Sequence, residues 1–97
     1  MRKIVLLCAA GMSTSALVRK MQDAAKADGY DCEISAHSVS DAKNYESADI
    51  ILLGPQVRYR LNEVKKLLPN NIVEVIDMKD YGMMNGTGVL SHARSVM

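Results

Sequence analysis

Residues 3–8, Lys-Ile-Val-Leu-Leu-Cys, stay apolar after the first position, without the alternation of a half-exposed strand. A short run of this kind suits a strand covered on both faces. It recurs at residues 48–53, Ala-Asp-Ile-Ile-Leu-Leu, which Gly54-Pro55 stops abruptly. A further strand is read at 72–76. Residues 32–38 alternate instead, with Cys, Ile and Ala set against Glu, Ser and His, as a half-exposed strand near a sheet edge does.

The segments between these runs have helical spacing. Ser13 and Thr14 offer capping hydroxyls, Leu17, Val18, Met21, Ala24 and Ala25 make one apolar face, and Gly29 ends that helix. A short helix over 40–45 is expected with Ser40 as its cap. Val57, Leu61, Val64, Leu67 and Leu68 predict a helix over 57–68, ended by Pro69. Asp77 starts a turn, 81–86 reads as irregular, and a last amphipathic helix is expected over 87–96.

Strands alternating with helices imply right-handed crossovers and a parallel sheet. The expected fold is α/β: one domain over residues 1–97, four parallel strands in the order 2-1-3-4, helices on both faces, flavodoxin-like. In such sheets ligands bind beyond the carboxyl ends of the strands, where the order reverses between the first and third. Cys8 ends the first strand and Gly54 follows the third.

Composition narrows the function. A formal net charge of +1 with no block of like charge lacks the footprint of a nucleic-acid binder. The apolar run over 4–10 is far shorter than the roughly 20 residues that span a bilayer, so a soluble cytoplasmic protein is expected. Cys8 and Cys32 form no C-x-x-C pair, and His37 and His92 are far apart, so no metal spacing can be assembled and a structural disulfide is not expected.

The chemistry concentrates in Cys8-Ala9-Ala10-Gly11-Met12-Ser13-Thr14-Ser15. A thiol at a strand end, a turn-permissive glycine and three hydroxyl residues opening a helix describe an anion cradle of the phosphatase-loop type. Successive backbone N–H groups and the positive end of the helix converge there on one point. The same field favours a thiolate, the nucleophilic form of cysteine. Tyrosine-phosphatase loops place a clamping arginine six residues after the cysteine; Thr14 stands at that position. Without that arginine a cysteinyl phosphate should hydrolyse slowly and persist for a partner. No cofactor is required.

Other residues have plainer readings. Gln56, Arg58 and Tyr59 read equally as site lining, partner contact or a loop feeding a helix, and Tyr59 also as core. Cys32 and the methionines at 83, 84 and 97 read as packing. His37 and His92 read as surface histidines, Asp77 and Asp80 as caps, and Arg19 and Lys20 as a solvated face that could also attract a phosphorylated partner. A phosphatase and a cysteine redox sensor remain as competing functions.

Three motifs in order resemble a known family. They are residues 8–15 as quoted; Gly54-Pro55-Gln56-Val57-Arg58-Tyr59; and Ile76-Asp77-Met78 with Tyr81-Gly82-Met83-Met84-Asn85-Gly86. Together they resemble the lactose/cellobiose (chitobiose) class of enzyme IIB, the cytosolic subunits of the bacterial phosphoenolpyruvate-dependent sugar phosphotransferase system. The resemblance covers nearly the whole chain. It implies that Cys8 accepts phosphate from a phosphohistidine of a IIA subunit. Cys8 would then donate it to sugar bound by the membrane permease IIC, a β-linked disaccharide such as cellobiose or chitobiose, or lactose.

Overall fold

A computed structural model describes residues 1–9 and 12–97, the side chains of 12–14 excepted. Four strands, β1 (Arg2–Cys8), β2 (Cys32–Ser38), β3 (Ile50–Leu53) and β4 (Ile72–Val75), form one all-parallel sheet in the order β2-β1-β3-β4. This is the expected topology. The helices are α1 (Met12–Ala27), α2 (Leu61–Leu67), α3 (Met78–Gly82) and α4 (Gly86–Val96), with 3-10 segments at Val39–Tyr45 and Pro55–Arg60.

The absence of alternation in β1 and β3 has its expected cause: both faces of the sheet are covered. Ile4, Leu6, Ile50 and Leu52 pack on one side against Leu17, Met21, Val89, Leu90 and Ala93 of α1 and α4. Val5, Leu7, Ile51 and Leu53 pack on the other against Val39, Ala42, Val57, Val64 and Leu68. Each fully buried leucine or isoleucine contributes about 1.5–3 kcal/mol of transfer free energy. β2, at the edge, buries only Ile34.

The helix ends follow local chemistry. Gly29 takes φ 63, and the Gly29 N–H donates to the Lys26 carbonyl (3.2 Å) while the Tyr30 N–H donates to that of Ala25 (2.9 Å). That pair of bonds is the Schellman closure of α1. Leu68, ahead of Pro69, leaves helical geometry at φ −127 and ψ 64, as a residue before proline tends to.

Four expectations need correction. The cap of the Val39–Tyr45 segment is Ser38, whose Oγ accepts from the Ser40 N–H at 3.3 Å; Ser40 is the donor, not the cap. α1 begins at Met12, so Ser13 and Thr14 lie in its first turn, not ahead of it. The helix expected over 57–68 is divided, because the chain leaves Gly54-Pro55 as a 3-10 turn with Val57 at φ −114 and becomes α-helical only at Leu61. Part of the stretch read as irregular is α3, started by Asp77, whose Oδ2 accepts from the Asp80 N–H at 3.2 Å.

The α3–α4 turn puts Met84 at φ 52, a left-handed conformation costing a non-glycine residue roughly 1–2 kcal/mol. Asn85 anchors it, donating from Nδ2 to Asp80 Oδ1 (3.2 Å) and accepting at Oδ1 from the Gly88 N–H (3.0 Å).

Candidate functional site

β1 and β3 are the central pair of the sheet, and their carboxyl ends lie side by side. Leu7 is in register with Leu53, and the Gly54 N–H donates to the Leu7 carbonyl at 2.9 Å, extending the ladder one residue beyond β3. Cys8 is therefore held at the point where the strand order reverses, with Gly54 against it. A Cβ on Gly54 would lie 3.5 Å from Cys8 Cβ, 3.7 Å from the Leu7 carbonyl oxygen and 3.3 Å from Gln56 Oε1. The missing side chain leaves a slot bordered on one side by the cysteine and on another by the Gln56 carboxamide.

Cys8 is 4% exposed, and its Sγ lies 4.0 Å from the His37 carbonyl oxygen on β2, a weak S–H bond. Ala9 is exposed, and so is Ser15 in the first turns of α1. Ala10 and Gly11 lie outside the described residues, as do the side chains of Met12, Ser13 and Thr14. The amide cradle expected between Cys8 and the helix thus falls largely on positions the structure does not describe.

On the far side of Gln56 an open cleft of about 670 Å³ is lined by Pro55, Gln56, Arg58 and Tyr59 from the segment after β3 and by Met78, Tyr81 and Gly82 from α3. Tyr59 is 79% exposed, which removes the core reading. Arg58 is exposed too. Gln56 borders both the slot at Cys8 and the cleft, whereas Arg58 and Tyr59 belong to the cleft alone.

Met78 and Tyr81 were not legible as site residues, because the helix presenting them is nucleated by a single capping aspartate and leaves no apolar period. Met83 is also exposed, contrary to the packing reading, while Met84 and Met97 do pack against the core.

The remaining candidates lie elsewhere. His37 is half-buried, not on an open face: its ring stacks on Tyr45 at 4.0 Å between centroids, and Nε2 is 3.0 Å from Ser35 Oγ. His92 Nε2 is 3.1 Å from Glu74 Oε1 on β4. Cys32 begins β2 opposite Arg2, whereas Cys8 ends β1 opposite Ser38. The strand length between them, roughly 20 Å, rules out a bond between the two sulfurs. Burial pushes the Cys32 thiol up, Asp31 adds to the shift and Arg94 opposes it, so Cys32 is held as the unreactive thiol.

Among the described residues no three His, Cys, Asp or Glu side chains are grouped to hold a metal ion, and no helix is long and apolar enough to cross a membrane.

The sequence profile of the family described as "PTS system, Lactose/Cellobiose specific IIB subunit" matches residues 3–92. The galactose-specific EIIB component of the PTS of Lactococcus lactis subsp. cremoris is 47% identical over 97% of this chain and 94% of its own length. The cellobiose-specific EIIB component of Lactococcus lactis subsp. lactis matches with the same figures. The solution structure of the cellobiose-specific phosphotransferase IIB component of Borrelia burgdorferi superposes with a TM-score of 0.81 at 33% identity, covering 97% of this chain and 89% of that one.

Proposed function

Since the chain belongs to the lactose/cellobiose-specific IIB family of the sugar phosphotransferase system, we propose that it carries phosphate on Cys8 as a single domain over residues 1–97 in the cytoplasm. The observation that carries this reading is the placement of Cys8 at the carboxyl end of β1, against Gly54, where the strand order of the sheet reverses.

In the first step the Cys8 sulfur attacks the phosphorus of a phosphohistidine on IIA. The S–P bond forms, the N–P bond breaks, and the thiol proton passes to the departing imidazole. In the second step a hydroxyl of sugar bound by IIC attacks the same phosphorus: the O–P bond forms, the S–P bond breaks, and the hydroxyl proton passes to the departing Cys8 sulfur. Donor and product of the first step are both high-energy phosphates, so this chain's task is in-line positioning and compensation of charge. The backbone N–H groups of residues 9–15 compensate the phosphoryl oxygens, with the hydroxyls of Ser13, Thr14 and Ser15 as further donors.

Cys8, 4% exposed at rest, is uncovered when a partner docks. Arg58 and Tyr59 in the adjoining cleft meet that partner, and Met12 supplies an adaptable apolar contact. The sugar is a β-linked disaccharide such as cellobiose, chitobiose or lactose.

The carrier is separated from a hydrolase by incubation with an aryl phosphate. Release of at most one equivalent of the phenol per protein is expected, because Thr14 stands where a phosphatase has its arginine. Sustained turnover overturns the carrier reading.

A further inference from the structure

We infer that Gln56 binds the phosphoryl group while it is on Cys8, donating from its carboxamide across the slot that Gly54 leaves open. The inference rests on the proposed role of Cys8 and adds a residue to it. Its observation is geometric. One point in space, where a Cβ of residue 54 would sit, is 3.5 Å from Cys8 Cβ and 3.3 Å from Gln56 Oε1. Among the described residues outside 53–55, Gln56 Oε1 and Cys8 Cβ are the two atoms nearest that point, with the Leu7 carbonyl oxygen third at 3.7 Å, so the carboxamide lies beside the Cys8 side chain, within reach of a phosphoryl oxygen on it.

The chemistry of the residue suits the place. A carboxamide is neutral, so it adds no net charge beside the thiol at rest. A half-turn of its terminal torsion exchanges Oε1 for Nε2 and presents two N–H donors to a phosphate oxygen at about 2.7–3.2 Å. Gln56 is exposed and is the second residue of the 3-10 segment that Pro55 starts, so its backbone is fixed where its side chain leaves the chain. Its side chain approaches from β3, whereas the expected main-chain donors of residues 9–15 come from the β1–α1 connection.

The test uses the full chain, IIA phosphorylated by phosphoenolpyruvate and the general phosphotransfer proteins, and rapid-quench measurement of phosphate arriving on this protein. Gln56→Glu keeps the shape and replaces the donors with a carboxylate that repels the phosphoryl group; Gln56→Ala removes the donors alone. A lost hydrogen bond to a charged group corresponds to a rate fall of about 10- to 100-fold. Gln56→Ala should fall within that range and Gln56→Glu below it, both with the half-saturating concentration of phosphorylated IIA changed less than about threefold and melting temperature unaltered.

Transfer at the parent rate in both variants overturns the inference. So does a raised half-saturating concentration with unchanged maximal rate, which would make Gln56 a docking residue. If the parent protein itself takes up no phosphate from a competent IIA, the Cys8 reading fails, an outcome distinct from failure of the Gln56 assignment.

Discussion

Cys8→Ser should abolish sugar phosphorylation in a relay reconstituted with IIA and IIC-containing membranes, lowering the rate by at least about 10³-fold. Serine keeps nearly the size of cysteine, and at a position 4% exposed it leaves β1, its register with Ser38 and the neighbouring Gly54 undisturbed. What changes is nucleophilicity. An alkoxide is not accessible near neutral pH, and nothing among the described residues stands by to remove the proton: the nearest partner of the sulfur is the His37 carbonyl, which can only accept. A folded variant with a silent relay is therefore expected. Sugar phosphate formed within tenfold of the parent rate would show that the phosphate does not travel through this sulfur. It would favour the redox-sensor alternative, in which Cys8→Ser loses peroxide sensitivity and leaves uptake intact.

The largest effect on stability is expected at Gly86, far from the chemistry. α4 begins there, and its backbone presses directly on α1: an added Cβ would lie 2.5 Å from the Lys20 carbonyl carbon, 2.6 Å from Lys20 Cβ and 2.6 Å from the Met21 nitrogen. Two of these three atoms belong to the α1 main chain and cannot swing aside. Gly86→Ala must then push α4 outward, loosening Val89, Leu90 and Ala93 from Leu17 and Met21 in the core beneath them.

Overpacking of this kind costs about 1–3 kcal/mol, and more where backbone is the obstacle. For a chain of this length that corresponds to a melting temperature lower by roughly 4–24 °C. Gly82→Ala is the control, since a Cβ there meets nothing within 4 Å. A thermal scan in which Gly86→Ala melts as the control does would mean that the α1–α4 approach is not as close as described.

The strands and their order were legible because the cause is local and periodic. Continuous apolar runs at residues 3–8 and 48–53 meant coverage on both faces, and the alternating run at 32–38 meant an edge; β2 occupies the expected residues and lies at the edge. Gly29 was readable as the stop of α1 because glycine takes the φ of 63 found there without the cost a side chain adds.

The position of the candidate site in the fold was legible at its centre and not at its margins. Cys8 and Gly54 follow from topology, since strand ends at a switch point meet whatever the side chains are. The split of the 57–68 helix, the cleft that includes Met78 and Tyr81, and the Gln56 slot depend on how Pro55 turns the chain and on one aspartate starting α3; neither leaves a period in the sequence. Tyr59 illustrates the limit: the sequence left it equally as core, site lining or partner contact, and its 79% exposure comes only with the fold. The Ser38 cap escaped for a similar reason, because Ser38 and Ser40 are chemically alike and which one accepts is decided by where β2 ends.

In the proposed relay the sulfur of Cys8 is the phosphate-bearing atom. The direct measurement is intact-mass analysis, followed by mapping of the modified peptide, after the protein is mixed with phosphoenolpyruvate, the general phosphotransfer proteins and IIA. One phosphoryl group on the peptide containing Cys8 is the result expected. No gain in mass while the same mixture phosphorylates its other members, or a gain that maps to His37 or His92, would contradict it.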